Sequence, residues 1–274
     1  MNRFRYQIGF IGAGHLGGVL LESLLAKRLF RPGEIAVSTA HRATRLRLAR
    51  KHRIAAPQTN RELVRTSRTV LLAVRPQQMN GVLREIRGVV TPHHLIITIA
   101  AGLDLASYRR VLPRRTRLIR AMPNRAIRAG SGITALFGSK PHSSADRRLA
   151  RRLFSASGDA FFVEREAWFD AITALSACGI AFVFLFLLAL SRGGRRGGLP
   201  LPLSRQLALK TATGALRLLE APGARLEEEI RRVASKGGTT EAGLRLFRKR
   251  GFVPTVEAAV AAAIRRAREL RHQR

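Results

Sequence analysis

The sequence predicts an α/β fold followed by an all-helical region. Over the first 140 residues, strand-like runs alternate with amphipathic helix-like runs, which indicates a parallel sheet with crossover helices. From about Trp168 the pattern is helical throughout. A glycine-rich loop lies between the first strand-like run and the first helix-like run, as in many α/β nucleotide-binding folds. The predicted division is an α/β domain at residues 1–165 and a helical domain at residues 166–274.

The strands of the α/β domain are predicted from short runs rich in Val, Ile, Leu and Thr that end at turn residues. Five of them form the main series: Tyr6–Ile11, Glu34–Ser38, Thr69–Val74, Leu95–Ala101 and Arg117–Met122. Two more, Ile133–Phe137 and Phe161–Glu164, are expected to close the domain. The helices predicted between these strands are Leu16–Arg28, Arg42–His52, Gln78–Val90 and Ser143–Ser157.

The helical domain opens with an unusually apolar run, Phe169–Ser191. Its uncharged part is long enough to cross a bilayer. However, Asp170 lies at its start and small polar residues interrupt its first half, and a helix that is apolar all round also suits the interior of a protein. We therefore predict a core or subunit-interface helix and no membrane partner. An Arg/Gly-rich flexible turn is predicted at Ser191–Gly198. The helices predicted after it are Arg205–Leu219, Leu226–Ala234, Thr240–Arg250 and Thr255–Arg271.

The composition is ordinary for a folded protein except for its charge. The 274 residues carry 50 Lys and Arg against 17 Asp and Glu, a net charge of +33. Such a charge attracts polyanions, but the arginines are spread over nearly every helix, which favours a solvated surface over a specific nucleic-acid site. A single cysteine, Cys178, excludes an intramolecular disulfide. With no recognisable signal peptide, the cytoplasm is the expected location. The seven histidines show no metal-ligand spacing, so no metal is expected.

The loop after the first strand has the spacing G-x-G-x-x-G in a strand–turn–helix context. Gly12 allows a tight turn, Gly14 lets the backbone approach a pyrophosphate, and Gly17 permits close packing of helix on strand. The free N–H groups of the following helix favour the phosphates. A dinucleotide-binding Rossmann domain is therefore predicted. Its cofactor loop is Gly12, Ala13, Gly14, His15, Leu16 and Gly17.

The end of the second strand favours NADP over NAD. An NAD site usually has an acidic residue there to hold the ribose 2′-OH, whereas this chain has Ser38 and Arg42, which suit a 2′-phosphate. The alternative is that Arg42 is one more surface arginine. The strand that ends Ala73-Val74-Arg75-Pro76 is expected to cross the cofactor site at the carboxyl edge of the sheet.

Several segments, in this order, resemble the pyrroline-5-carboxylate reductase family along nearly the whole chain. They are IGFIGAG at 8–14, AVRPQ at 73–77, IAAG at 99–102, MPN at 122–124, D-x-x-T-x-L-S-x-x-G at 170–179, GLP at 198–200 and S-x-GGTT-x-x-GL at 235–244. The resemblance implies hydride transfer from NAD(P)H to the imine carbon of 1-pyrroline-5-carboxylate, giving L-proline. It also implies a helical C-terminal domain that dimerises, often within larger rings, with the substrate at the junction of the two domains.

The resemblance also assigns site residues. The glycine–threonine turn would hold the substrate carboxylate, since Gly237 and Gly238 can present backbone N–H groups to an anion. The hydroxyl of Thr240 would hydrogen-bond the ring nitrogen as the catalytic contact. A plain helix N-cap with a glycine turn is the alternative for this segment. The remaining implied residues are Glu166, Ser235 and Thr239 for the substrate, and Asn60 and Asn124 for the cofactor. Taken alone, Asn60 and Glu166 equally suit helix starts.

The chain departs from the family pattern near the expected substrate. The usual SGSGPA segment reads Ser176–Ala181 with Cys178 inside it, Lys236 replaces a proline, and Leu188 replaces an acid. MPN is followed by Arg125-Ala126-Ile127 instead of a Thr-Pro pair. Two alternatives therefore remain open: a paralogue that acts on another imine or has a regulatory role, and a basic nucleic-acid-associated protein.

Overall fold

A computed structural model describes residues 4–272. The chain divides into two compact units. One consists of the residues up to Ala177 together with the segment from Ile264 onward, and the other is Cys178–Ala263. The first unit holds the sheet and the second is helical. The predicted α/β fold with a helical C-terminal region is confirmed.

The first unit contains a seven-stranded sheet in the order β2-β1-β3-β4-β5-β6-β7. Every neighbouring pair is parallel except β5 and β6, which are antiparallel. All seven predicted strands are present; β1 has the predicted bounds, and the bounds of the others are shifted by up to a few residues. The strands are β1 Tyr6–Ile11, β2 Ile35–Ser38, β3 Ser67–Leu72, β4 Leu95–Thr98, β5 Arg117–Pro123, β6 Gly132–Ser139 and β7 Gly158–Phe162.

Helices cover both faces of this sheet, because successive side chains of a strand point to opposite faces. Ile8 and Phe10 of β1 are buried in one layer of the core, and Val70 and Leu72 of β3 in the other. The helices of this unit are α1 His15–Ala26, α2 Arg42–His52, α3 Asn60–Thr66, α4 Pro76–Ile86, α5 Leu105–Arg109, α6 Ser144–Ser155 and α7 Phe169–Ile172. Helices α1 and α6 contribute to the first layer, and α3, α4 and α5 to the second.

The strand order places a ligand crevice between β1 and β3. The chain runs from β1 outward to β2 and then returns past β1 to form β3, so the direction of winding changes there. In open parallel sheets such a change opens a crevice at the carboxyl ends of the strands, where ligands bind.

The helical unit is built from α8 and the helices that follow it. A π-helical turn, Thr173–Cys178, links α7 to α8 along the chain. The five helices are α8 Gly179–Arg196, α9 Leu201–Leu218, α10 Leu226–Val233, α11 Thr239–Lys249 and α12 Phe252–His272, whose last part is grouped with the first unit.

The flexible turn predicted at Ser191–Gly198 is wrong for most of its length, because α8 continues to Arg196. The glycines allow α9 to approach closely. A Cβ atom on Gly194 would lie 2.4 Å from the Ser204 hydroxyl. That hydroxyl donates a hydrogen bond to the Ser191 carbonyl, and both serines are buried. Glycine here serves helix packing, and only Gly197 and Gly198 form the turn.

The apolar segment at the start of the helical region is largely exposed in the single chain. The helical stretch Glu166–Arg196 is 31 residues long and, by length and composition alone, could cross a membrane. Only 6% of its apolar window is buried. A soluble protein whose helix is covered by a second chain shows the same pattern.

Candidate dinucleotide and substrate sites

A cavity of about 650 Å³ opens at the carboxyl ends of β1, β2 and β3, where the crevice between β1 and β3 is expected. Nine of the predicted cofactor residues line it: Gly12, Ala13, Gly14, Ser38, Arg42, Asn60, Ala73, Val74 and Arg75. The strand–turn–helix context that gives the glycine loop its meaning is present, because β1 ends at Ile11 and α1 begins at His15.

The three glycines of the loop have different surroundings. Gly12 has a φ of +86°, and a Cβ atom there would lie 2.8 Å from the Ala73 carbonyl oxygen. A Cβ on Gly17 would lie 2.8 Å from the Ala73 Cβ. A Cβ on Gly14 would meet no atom within 4 Å. Gly12 and Gly17 therefore serve the turn and the packing of α1, whereas the space over Gly14 is free for a phosphate.

Positive charge is concentrated where β2 meets α2. Arg42 is the first residue of α2, and Arg45 lies one turn further along. Both line the cavity, together with the buried Ser38. The Arg45 Nη1 donates to the Gln58 carbonyl at 2.7 Å, while its buried Nε has no hydrogen-bond partner in the described part of the chain. This arrangement suits a phosphate group that accepts several hydrogen bonds.

Five predicted cofactor residues do not line this cavity. His15, Leu16 and Gly17 form the first turn of α1, and Pro76 is the first residue of α4. Asn124 is buried, and its side-chain oxygen accepts from the N–H groups of Ala126 and Ile133, each at 3.2 Å. Asn124 thus holds the turn after β5. A cofactor contact by these residues stays a prediction.

The sequence reasoning missed other residues that line the cavity. Arg45 could have been found from its helical spacing after Arg42, because residues three apart share a helix face. Glu85 carried no local signal and reaches the cavity only through the fold. The missed residues are Ile11, Thr39, Ala40, His41, Thr44, Arg45, Gln58, Thr59, Gln78, Val82 and Glu85.

The glycine–threonine turn lies before α11 in the helical unit. Gly237 has a φ of +74°, which favours glycine. The Gly238 N–H donates to the Ser235 carbonyl at 3.0 Å, and Thr239 and Thr240 are the first two residues of α11. The turn therefore precedes a helix N-terminus, whose partial positive charge favours an anion.

The anion nearest this turn is a side chain of the chain itself. The Glu241 carboxylate accepts a hydrogen bond from the Gly237 N–H at 2.5 Å. The N-cap residue, Gly238, makes no side-chain cap hydrogen bond. A substrate carboxylate would have to displace Glu241 from the Gly237 N–H.

Glu166 is partly exposed and forms an ion pair with a buried arginine of the sheet unit. Its Oε1 lies 3.0 Å from the Arg120 Nη1 and accepts from the Leu105 N–H at 2.8 Å. Arg120, on β5, is only 2% exposed, and its guanidinium stacks 4.3 Å from the ring centre of Phe169. A buried arginine needs such a partner, because an unpaired charge in the interior is costly.

Two ionisable groups near this pair have shifted pKa values. Burial raises the pKa of Asp104, but hydrogen bonds from Ser107 and the nearby Arg120 more than offset it, so the pKa lies below its ordinary value. Burial also raises the pKa of Tyr108 to about 12, against the effect of a 2.6 Å hydrogen bond to the Thr98 hydroxyl. At neutral pH Asp104 is charged and Tyr108 is neutral.

The π-helical turn contributes one unsatisfied group. The Ser176 hydroxyl is buried and has no hydrogen-bond partner within residues 4–272, while the Ser176 carbonyl accepts from the Asn124 amide at 3.3 Å. Over the same residues no cluster of three or more His, Cys, Asp or Glu side chains could hold a metal ion. Cys178 is a free, partly buried thiol.

Two family models match the chain. The model described as pyrroline-5-carboxylate reductase dimerisation matches residues 166–270. The model described as NADP oxidoreductase, coenzyme F420-dependent, matches residues 7–102. Together they cover both the glycine-loop half and the helical half.

Relatives named pyrroline-5-carboxylate reductase match over nearly the full length. The pyrroline-5-carboxylate reductase of Synechocystis is 35% identical over 264 residues, which is 96% of this chain and 98% of that one. The Pseudomonas aeruginosa enzyme of the same name is 34% identical over 267 residues, 97% of each chain.

Solved structures share the fold. A pyrroline-5-carboxylate reductase from Coxiella burnetii has a TM-score of 0.89 and 28% identity, covering 97% of this chain and 98% of that one. A pyrroline carboxylate reductase from Plasmodium falciparum, with NADP bound, has a TM-score of 0.87 and 24% identity, covering 98% of this chain and 99% of that one.

Proposed function

The chain belongs to the pyrroline-5-carboxylate reductase family, and from that membership we propose that it reduces 1-pyrroline-5-carboxylate to L-proline with NADPH. The observation that carries the proposal is identity of about a third with reductases of this name over more than nine-tenths of the chain. In the reaction the imine carbon receives a hydride and the ring nitrogen receives a proton.

The cavity fits the cofactor on two observations from this chain. The space over Gly14 is open where a pyrophosphate would lie, and Arg45 has a buried N–H group to donate. We assign the pyrophosphate to the Gly12–Gly14 loop and the 2′-phosphate to Ser38 and Arg42. When bound there, NADPH supplies the hydride.

The 2′-phosphate assignment makes a prediction about cofactor preference. Arg42→Ala should weaken NADPH binding about tenfold, because a charge-assisted contact to phosphate is lost. NADH binding should change little, since NADH has no 2′-phosphate. Titration of protein fluorescence measures both dissociation constants. The control is Arg47→Ala, which makes the same charge change on the same helix outside the cavity. Equal weakening of both cofactors would contradict the assignment.

We further propose that the glycine–threonine turn binds the substrate carboxylate. Its support is the left-handed turn at Gly237 and the helix that begins at Thr239. The substrate carboxylate would take the Gly237 N–H in place of the Glu241 side chain, which accepts from it in the free chain. Ser235 fixes the turn by accepting the Gly238 N–H. We assign to the Thr240 hydroxyl, on the second residue of that helix, a hydrogen bond to the substrate nitrogen that would stabilise the charge developing there.

The role of Thr240 is tested by turnover of NADPH with pyrroline-5-carboxylate, followed at the nicotinamide absorbance. Thr240→Ala should lower kcat by about 100-fold while the dissociation constant of NADPH stays unchanged. Thr240→Ser keeps the hydroxyl and should retain most of the activity. An equal loss of turnover and of NADPH affinity in Thr240→Ala would contradict the catalytic role assigned to Thr240. A wild-type protein that binds NADPH but gives no turnover would favour a paralogue.

The match to a dimerisation region supports a homo-oligomer. We propose a homodimer as the minimum unit, with residues 1–165 and 166–274 as the functional domains. The apolar surface of α8 would then contact a second chain instead of a membrane. Specific nucleic-acid binding is not expected, because the positive charge is spread over the chain. A cytoplasmic location is proposed from the single cysteine.

A further inference from the structure

The cofactor cavity contains a hydrogen-bonded pair that the proposed function does not use. The side-chain amide of Asn60 donates to the Glu85 Oε2 at 2.7 Å, and the backbone N–H of Asn60 donates to the Glu85 Oε1 at 3.2 Å. Asn60 begins α3 and Glu85 belongs to α4, so the pair joins two helices. Both residues line the cavity and both are partly exposed to it.

The carboxylate decides which way the Asn60 amide points. An ionised carboxylate only accepts hydrogen bonds, so the Asn60 nitrogen must face Glu85 and its Oδ1 must face away from it. With the backbone N–H also engaged, Oδ1 and the second N–H of the amide are the Asn60 side-chain groups left to contact a ligand. Oδ1 is the acceptor of the two, and with its direction fixed it selects a ligand group that donates.

Glu85 is an unexpected residue for this place on electrostatic grounds. It is the one acidic residue among those that line the cavity, and the ligand expected there is strongly anionic. By Coulomb repulsion alone, the Glu85 charge weakens the binding of such a ligand. We therefore expect Glu85 to make a favourable contribution to ligand binding that outweighs this repulsion.

We propose that Glu85 is a positioning residue for the cofactor: it fixes the Asn60 amide so that Oδ1 accepts a hydrogen bond from the adenosine part of NADPH. The donors available on that part are the adenine 6-amino group and the ribose 3′-hydroxyl, because the 2′ oxygen carries the phosphate and the 5′ oxygen the pyrophosphate. The inference rests on the assignment of this cavity to NADPH made above.

The test exploits the sign of the expected change. Glu85→Ala removes a negative charge beside an anion, so electrostatics alone would tighten NADPH binding. If Glu85 orients Asn60, the dissociation constant should instead rise about tenfold. Glu85→Gln, which offers one acceptor and one donor, should give a smaller rise. The control, Glu34→Gln, makes the same charge change before β2, outside the cavity, and should leave the affinity unchanged.

A double-mutant cycle shows whether Glu85 acts through Asn60. Asn60→Ala/Glu85→Ala should bind NADPH no more weakly than Asn60→Ala alone, because Glu85 then has nothing left to orient and only its repulsion of the ligand is removed. Binding is measured by direct fluorescence titration of the full chain, with the melting temperature of each cofactor-free variant as a check on folding. Additive losses, unchanged binding or tighter binding in Glu85→Ala would each overturn the proposal.

A cofactor analogue identifies the donor. Reduced nicotinamide hypoxanthine dinucleotide phosphate carries a carbonyl in place of the adenine amino group. If that amino group is the donor, wild-type protein should bind the analogue more weakly than NADPH, and Glu85→Ala should lose the preference. If the ribose 3′-hydroxyl is the donor, Glu85→Ala should weaken the binding of both ligands equally. Failure of Gly14→Ala to affect NADPH binding would instead indicate that the cavity itself is wrongly assigned.

Discussion

Three glycines within six residues of one loop serve three separate purposes. Gly12 adopts a left-handed backbone conformation, Gly17 lies against Ala73, just after β3, where a methyl group does not fit, and Gly14 has open space above it. Glycine is required at positions 12 and 17 for the fold itself, with or without a ligand. At position 14 it is required only when a ligand binds. Identical residues at this spacing therefore differ in what their replacement disturbs.

A matched pair of substitutions separates stability from binding. Gly17→Ala places a Cβ 2.8 Å from the Ala73 Cβ and 2.9 Å from the Gly12 carbonyl oxygen, so the free energy of unfolding should fall by about 1–3 kcal/mol. Gly14→Ala adds the same methyl group to free space. It should leave the melting temperature nearly unchanged and weaken NADPH binding at least tenfold, because the methyl group occupies the position of a phosphate.

Thermal unfolding without cofactor and fluorescence titration with NADPH measure the two effects. The wild-type chain is the reference for both. A Gly14→Ala variant that melts early but binds normally would mean that the open space has no ligand.

The part of the site that could be predicted from sequence is the part made by local backbone. Gly12 and Gly14 are determined by a tight turn between a strand and a helix, and that turn is visible as spacing. Glu85 lies far along the chain from Asn60, and only the packing of α3 on α4 brings them together. Asn124 has a role that its motif does not predict, because its side-chain oxygen holds the turn after β5, while the cofactor contact expected of it stays a prediction.

At the level of elements, the strands followed the sequence closely because a parallel sheet buried on both faces requires continuous apolar runs. Predicted and observed bounds agree for β1, and α2 agrees at both ends. Helix α8 was misjudged at its end, where glycine and arginine are typical of a loop. Glycine has two meanings in a helical region, a chain turn or a close helix contact, and the neighbouring helix that decides between them is not visible in the local sequence.

The contact between α8 and α9 predicts that one destabilising substitution partly compensates for another. Gly194→Ala should lower the melting temperature, because its Cβ would lie 2.4 Å from the Ser204 hydroxyl. Ser204→Ala removes that oxygen and, alone, leaves the Ser191 carbonyl without its hydrogen bond, at a cost of about 1 kcal/mol. The double variant should be more stable than the sum of the two losses predicts.

The control for this pair is Gly193→Ala, which adds a methyl group to the same helix where nothing lies within 4 Å. It should stabilise α8 slightly, since alanine is the better helix former. Strictly additive losses in the double variant would show that the two helices do not meet in solution as described.

In the molecule as a whole, apolar residues are buried to very different extents in the sheet unit and in the helical unit. The sheet unit has a two-layered core with many fully buried side chains. In helices α8–α11 the buried residues are only Ser191, Ser204 and Ala208. Large apolar side chains such as Phe184, Leu185 and Leu216 are more than half exposed in the single chain. A region of this length without a core of its own is not expected to be stable alone.

Because the helical region needs a second chain to cover its apolar surface, we expect the stability of the protein to depend on its concentration. Association that occurs only in the folded state adds free energy by mass action, about 2.7 kcal/mol for a hundredfold excess over the dissociation constant. Diluting the protein a hundredfold should therefore lower its melting temperature by several degrees, with the loss of helical signal preceding that of the sheet. A melting temperature independent of concentration would mean that the helical region is held together within one chain. In the cell, the amount of this reductase that is made would then help to set how long each molecule survives.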